Sequence, residues 1–372
     1  MIYLDNAATT LHKPPSVLRS MEQAMRRCAT PGRGTHQAAM HAADVVLDCR
    51  ETAAALFDVQ DPEHVVLTFN ATHGLNIAVH TLVETGNRVV ISGYEHNAVV
   101  RPLYSSGLDV RIARAPLFDR AAQLDAFARA LDEGADFAVC THVSNVFGFV
   151  LPVEEIAALC AERRIPLIVD ASQSAGTLPV KLGQLQAAFV AMPGHKGLYG
   201  PQGTGLLLCG TQPRPLLMGG TGGNSDLQTM PDFLPDRLEA GTGNIPGAAG
   251  LTAGMRFVTG RGMEQIRMHE LRLKNEACRA LERLPGVHPI WTAEAAAQTG
   301  VFSLRFDGIS PIDAAAELGR RGVAVRAGLH CAPVAHVTAG THDGGTVRVS
   351  FSAFSTPDDV RALLSAVRAI RR

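Results

Sequence analysis

The stretch FVAMPGHKGLYGPQGTGLLLC, Phe189 to Cys209, sets Lys196 behind a histidine in a glycine-rich turn between two apolar runs. Lysine is scarce in this chain. Of 34 basic residues only Lys13, Lys181, Lys196 and Lys274 are lysines, and the others are arginine. An amine can shed its proton and become a nucleophile, whereas a guanidinium stays charged. Two further groups fall where strands should end. Asp170 closes the apolar run IPLIVD, 26 residues before Lys196, and Asn70, Ala71 and Thr72 follow HVVLTF where a helical pattern begins. A helix start offers free N–H groups and the positive end of its dipole to a phosphate. A phosphate seat, a carboxylate and a lysine form the set that pyridoxal phosphate requires. The lysine bonds the aldehyde, and the carboxylate keeps the pyridine nitrogen protonated so that the ring draws in electrons. The chain holds no G-x-x-x-x-G-K-[ST] stretch, so a triphosphate-binding loop is not supported.

A second constellation lies in VRAGLHCAPVAH, Val325 to His336, where Cys331 sits in a loop of small residues after a strand-like run. A thiol attacks only as thiolate, which positive charge and partial exposure favour, and Arg326 and His330 are suppliers of such charge. The six other cysteines read as small apolar side chains. Seven cysteines without a C-x-x-C pair argue against a disulfide framework or a zinc knuckle. Cys331, His336 and His342 match no compact zinc spacing, so no metal is expected.

The elements that must position these groups alternate. HVVLTF, RVVISG, DFAVCTHVSN and IPLIVD read as buried strands, while NATHGLNIAVHTLVE and PVEEIAALCAERR have helical spacing. This order predicts an α/β fold, its parallel sheet covered on both faces. FVAM and TGLLLC predict a hairpin-like pair around the lysine turn. After Ala240 the texture changes, and a helical stretch over 262–284 precedes a smaller α+β unit. The expected division is a segment 1–14 associated with the small domain, a large domain 15–258 and a small C-terminal domain 259–372 that carries Cys331. A formal net charge of -1, with no basic stripe, favours a small-molecule partner over nucleic acid. No apolar run is long enough to span a bilayer and no export signal is visible at the start, so a cytoplasmic location without membrane contact is expected.

Eight ordered stretches, YLDNAATT, EHNAVV, THVSNVFG, VDASQSAG, GHKGLYGPQG, EAGTGN, RAGLHCAP and TVRVSFS, resemble the class V aminotransferase family of fold-type I pyridoxal-phosphate enzymes. Within it they are most similar to the cysteine desulfurase and selenocysteine lyase group, with the sulfur-assimilation (SufS-like) pattern. The resemblance covers essentially the whole chain. It implies a mostly parallel seven-stranded sheet in the large domain and desulfuration of L-cysteine to L-alanine. It also implies roles for single residues. Lys196 carries the cofactor and Asp170 pairs with its pyridinium nitrogen. His96 stacks on the ring, and Gln173 donates toward the ring's phenolic oxygen. Ala71 and Thr72 hold the phosphate with help from His195, and Thr242 reaches the phosphate of a neighbouring subunit. Asn145 and Arg348 hold the substrate carboxylate, with Arg326 beside them. Cys331 becomes the persulfide-forming nucleophile, and the sulfur passes to a thiol acceptor that includes a possible carrier protein. A homodimer with its sites near the interface follows, and the Gly-rich GGTGGNSD and EAGTGN segments are its internal support.

Two positions depart from the family pattern: Pro193 stands where a serine is common, and Gly197 is an extra glycine after the lysine. They bear on the phosphate contacts and on substrate identity. Three other readings stay open: selenocysteine lyase activity, another class V reaction such as transamination or racemisation with Cys331 incidental, and a non-catalytic scaffold.

Overall fold

The computed structural model describes residues 1–31, 34–223 and 226–370. Asn224 and Ser225 of the GGTGGNSD segment lie outside the described residues. A seven-stranded sheet runs in the order Val65–Thr68, Gly205–Cys209, Phe189–Pro193, Leu167–Asp170, Phe137–Thr141, Arg88–Ser92, Asp109–Ala113. Only Gly205–Cys209 runs antiparallel to its neighbours; the remaining pairings are parallel. The mostly parallel sheet expected from the sequence is therefore present, as is the antiparallel pair flanking the lysine turn.

Alternate residues of these strands enter two different cores. Val90, Ala138, Val169, Val190 and Leu208 pack on one face, and Val89, Val139, Ile168, Phe189 and Leu207 on the other. Burial on both faces is why the strands read as unbroken apolar runs rather than alternating ones.

Helices Ile245–Arg261 and Met263–Leu281 meet at Gly262, whose φ of 85° suits a residue without Cβ. Beyond them a four-stranded antiparallel sheet runs Arg326–Gly328, Thr346–Ser350, Val301–Phe306, Val287–Ile290. The N-terminal strand Ile2–Tyr3 pairs in parallel with Val323–Ala324, and Leu4 is buried in the same core as Phe302, Val347 and Leu363. The first residues are thus fixed next to an element more than 300 positions away in sequence. Among the described residues no helix is long and apolar enough to cross a membrane.

Candidate active site

In an open parallel sheet, ligands lie beyond the carboxyl ends of the strands. The sequence-predicted groups gather at that edge. Asp170 is the last residue of its strand, His96 follows Arg88–Ser92, Asn145 follows Phe137–Thr141, and Lys196 follows Phe189–Pro193. Helix Ala71–Leu82 starts just after Val65–Thr68, with Asn70 as its N-cap accepting from the His73 N–H at 2.9 Å. That start leaves backbone N–H groups at Ala71 and Thr72 for an anion. Thr72 is exposed there and Ala71 is buried.

The Asp170 and Lys196 turns press directly on each other. A Cβ on Gly197 would lie 2.4 Å from the Ala175 carbonyl oxygen, and one on Gly176, at φ 91°, would lie 2.1 Å from the Gly197 oxygen. Both atoms in the way are backbone, so neither turn can yield to a larger residue. The extra glycine after the lysine therefore has a reason in packing: it lets the two turns touch. Pro193 closes its strand opposite Gly205, buried and with no hydroxyl to offer.

Arg348, 2 % exposed, donates from Nη1 to the Asn145 carbonyl (2.9 Å) and from Nη2 to Asp5 (2.6 Å). Arg326 stands directly across from it in the strand pair, exposed and without a side-chain hydrogen bond among the described residues. The Asn145 amide donates to the His330 carbonyl at 2.8 Å, and the Asn97 N–H donates to the Cys331 carbonyl at 2.7 Å. The cysteine loop is thus pinned by its backbone to the residues beside His96 and Asn145, while Cys331 itself is exposed. His330 and Cys331 both adopt left-handed backbone, at φ 52° and 56°. Two such non-glycine residues in succession carry strain, of a kind that clusters at functional sites. Of the other cysteines five are buried and Cys28 is half-buried, so the thiol with free access lies on the predicted loop.

The charges act on one another. Burial pushes the Lys196 amine down to about 8; Arg348 and Arg326 add to this, and Asp170 and Asp5 oppose it. Burial likewise holds the imidazoles of His96 and His195 neutral, each pushed down to about 4. His96 caps helix Asn97–Ser105, its Nδ1 accepting from the Ala98 N–H at 3.0 Å, so the ring proton sits on Nε2.

Sequence reasoning passed over Glu95, which is fully buried beside His96. Its Oε1 accepts from the Ser92 hydroxyl and the Thr141 N–H, and its Oε2 has no partner among the described residues. Burial, with Asp170 nearby, raises its carboxyl to about 8. The folded protein thus keeps a proton that an unfolded glutamate releases near its ordinary value of 4.5. The associated stability is full below that value and is lost as pH rises toward 8. Glu95→Gln preserves both acceptor bonds and removes the titration. Its melting temperature is expected to fall several degrees less than that of the native protein between pH 5 and pH 8, as scanning calorimetry at both pH values would show. Parallel declines in the two proteins would contradict a neutral Glu95.

Gln173 and Thr242 make contacts of their own. The Gln173 amide donates to the Ala7 carbonyl at 2.9 Å, tying the aspartate turn to the N-terminal segment. Thr242 is exposed and lines a cavity of about 380 Å³ with Phe69, His73 and Thr204. Its loop is anchored by Glu239, which pairs with Arg50 and accepts from the Leu67 N–H. Asp5 was not singled out by the sequence, although it lies in YLDNAATT; nothing local reveals a partner 343 residues away.

Around Lys196, buried His195 Nδ1, Asn145 Oδ1 and Arg348 Nε have no hydrogen-bond partner among the described residues. Asp170 Oδ1 accepts from the Ser172 N–H, leaving Oδ2 without a protein partner among the described residues. In folded proteins most buried polar atoms are paired. Unpaired donors and acceptors on four residues about one lysine, next to an open helix start, fit pyridoxal phosphate and an amino-acid carboxylate. Among the described residues no group of three or more His, Cys, Asp or Glu side chains is placed to hold a metal ion.

The aminotransferase class-V profile matches residues 2–363. A probable cysteine desulfurase of Methanothermobacter thermautotrophicus is 32% identical, over 97% of this chain and 92% of its own length. Another from Mycolicibacterium paratuberculosis is also 32% identical over 100% of this chain, which spans 55% of that longer relative. Among solved structures, the apo cysteine desulfurase of Thermococcus onnurineus NA1 superposes with a TM-score of 0.91 and 30% identity, covering 99% of this chain and 94% of that one. The cysteine desulfurase CsdA of Escherichia coli gives 0.87 at 26% identity, covering 100% and 94%.

Proposed function

The chain belongs to the class-V aminotransferase family, and on that premise we propose that it is a pyridoxal-phosphate-dependent cysteine desulfurase, converting L-cysteine to L-alanine with transfer of sulfur to Cys331. The observation that carries this reading is the exposed Cys331, on a loop hydrogen-bonded to the backbone beside His96 and to the Asn145 side chain. A second nucleophile at this place separates sulfur removal from transamination, which needs none. The solved cysteine desulfurases that superpose on nearly the whole chain support the same reading.

When bound, pyridoxal phosphate supplies an electron sink for the charge left by a departing α-proton. Asp170 would hold its pyridine nitrogen protonated and His96 would lie against the ring. Ala71, Thr72 and His195 would hold the phosphate, with Thr242 of a second subunit, and Gln173 would turn from Ala7 toward the phenolic oxygen. Arg348, Arg326 and Asn145 would orient the substrate carboxylate; an arginine fork suits a carboxylate because it donates two parallel bonds. Lys196 Nζ would take the α-proton, and its lowered proton affinity leaves more free amine near neutral pH than an exposed lysine has. The Cys331 thiolate would then attack the substrate sulfur. The carbon–sulfur bond breaks, alanine departs and the persulfide passes to an acceptor thiol.

We assign residues 15–258 to the cofactor-binding domain, 259–372 to the small domain and 1–14 to a segment that works with the small domain. The pairing of Ile2–Tyr3 with Val323–Ala324 supports the last of these. A homodimer in the cytoplasm completes the proposal.

The test is alanine formed from L-cysteine and, separately, from L-selenocysteine by the loaded enzyme under reductant. Alanine from L-cysteine is the expected result. Alanine from L-selenocysteine alone would make the enzyme a selenocysteine lyase, and none from either would end the sulfur reading.

A further inference from the structure

The lysine turn is held from outside by the N-terminal segment. The His195 carbonyl oxygen, part of the peptide that joins His195 to Lys196, receives four donors: Lys13 Nζ at 3.0 Å, the Thr10 N–H at 3.1 Å, the Thr10 hydroxyl at 3.1 Å and the Thr9 hydroxyl at 3.2 Å. Lys13 Nζ also donates to the Thr10 oxygen at 2.6 Å, and that oxygen lies 3.2 Å from the Lys196 carbonyl. A carbonyl oxygen has two lone pairs, so this one is saturated, and its strongest donor is a cation. Lys13 is half-buried and has no carboxylate partner in an ion pair among the described residues. A desolvated ammonium spent on backbone costs free energy unless it fixes something.

The composition points the same way. A chain that otherwise uses arginine places one of its four lysines here. The available space is shared with two threonine hydroxyls and one peptide. A compact head with three rotatable donors suits these close-set acceptors better than a broad planar guanidinium.

We propose that Lys13 is a positioning residue for Lys196: its ammonium clamps the His195–Lys196 peptide, and so fixes the direction in which the Lys196 amine enters the site. The inference rests on Lys196 being the cofactor-bearing lysine. Burial keeps the His195 ring neutral, and the neighbouring Lys196 and Lys13 charges add to the effect.

The first readout needs no cofactor. In the cofactor-free protein, Lys13→Met is expected to raise amide hydrogen exchange across residues 194–198 about tenfold, as loss of one charge-assisted hydrogen bond implies. Exchange in strand Phe137–Thr141 should stay unchanged. In the loaded protein kcat should fall about tenfold, with KM for L-cysteine within about twofold, since the α-proton step and not substrate binding loses its geometry. Lys13→Arg should restore neither quantity. Should Lys13→Met fail to fold, Lys13→Gln keeps a donor without charge and is expected to give the same exchange pattern at smaller amplitude.

Unchanged exchange at 194–198 would overturn the proposal. So would a rise confined to residues 1–14 with kcat unaltered, because Lys13 would then only staple the N-terminal segment. An exchange effect in a protein that forms no alanine from L-cysteine would uphold the clamp and refute the desulfurase reading, so the two stand or fall separately.

Discussion

Lys196→Ala, loaded with pyridoxal phosphate and passed through a desalting column, is expected to lose the visible absorption of lysine-bound cofactor. It should also form alanine from L-cysteine on the order of 10³-fold more slowly than the native protein. Two separate losses combine. The side chain is the amine that anchors the cofactor covalently, and it is the base placed to take the α-proton. No other lysine can substitute. Lys13 is engaged with the His195 carbonyl, Lys181 donates to the Leu56 carbonyl and Lys274 donates to the Thr292 carbonyl and Gln298. Lys196→Arg should fail equally, because a guanidinium neither bonds an aldehyde nor releases a proton near neutrality. The fold should survive both changes, since the turn is held by backbone contacts such as Gly200 N–H to Gly194 O and Tyr199 N–H to Lys196 O. A Lys196→Ala protein that kept the visible band would sink the assignment.

Cys331→Ala divides the site differently. The cofactor band should remain, because no residue assigned to hold the cofactor lies on the 330–333 loop. Alanine formation from L-cysteine should drop by on the order of 10³-fold or more, as removal of a nucleophile does elsewhere. Stability should change little. The side chain is exposed, and alanine at φ 56° is no more strained than cysteine there. The two hydrogen bonds that pin the loop also use backbone carbonyls of His330 and Cys331, which alanine retains. Absorption spectra and chromatographic alanine on the same sample separate the outcomes. A Cys331→Ala protein with native turnover of L-cysteine would reduce the thiol to a bystander and favour another reaction of the class V family.

Much of this was legible in the sequence because it is local. Apolar runs ending in polar residues gave the strand ends, and with them the places of Asp170 and Lys196. What escaped was non-local or conditional. The Asp5–Arg348 pair joins the two ends of the chain, which the pairing of Ile2–Tyr3 with Val323–Ala324 and the bridge of Asp5 to Ser350 bring together. Glu95 looks like a surface charge beside His96 until the ends of Arg88–Ser92 and Phe137–Thr141 enclose it. Gly197 looked like a departure from a pattern, and its function appears only when the Ala175 carbonyl is seen where a Cβ would stand. Lys13 gave no signal beyond its rarity, because its partner is a backbone oxygen, which any sequence supplies.

The most direct measurement is the mass of the proteolytic peptide containing Cys331, after the loaded enzyme has met one equivalent of L-cysteine without reductant, with alanine counted in the same sample. The expected result is a gain of one sulfur atom on Cys331, matched by one alanine for each persulfide and reversed by added thiol. Alanine formed with Cys331 left unmodified, or with the extra sulfur on another cysteine, would contradict sulfur transfer through Cys331.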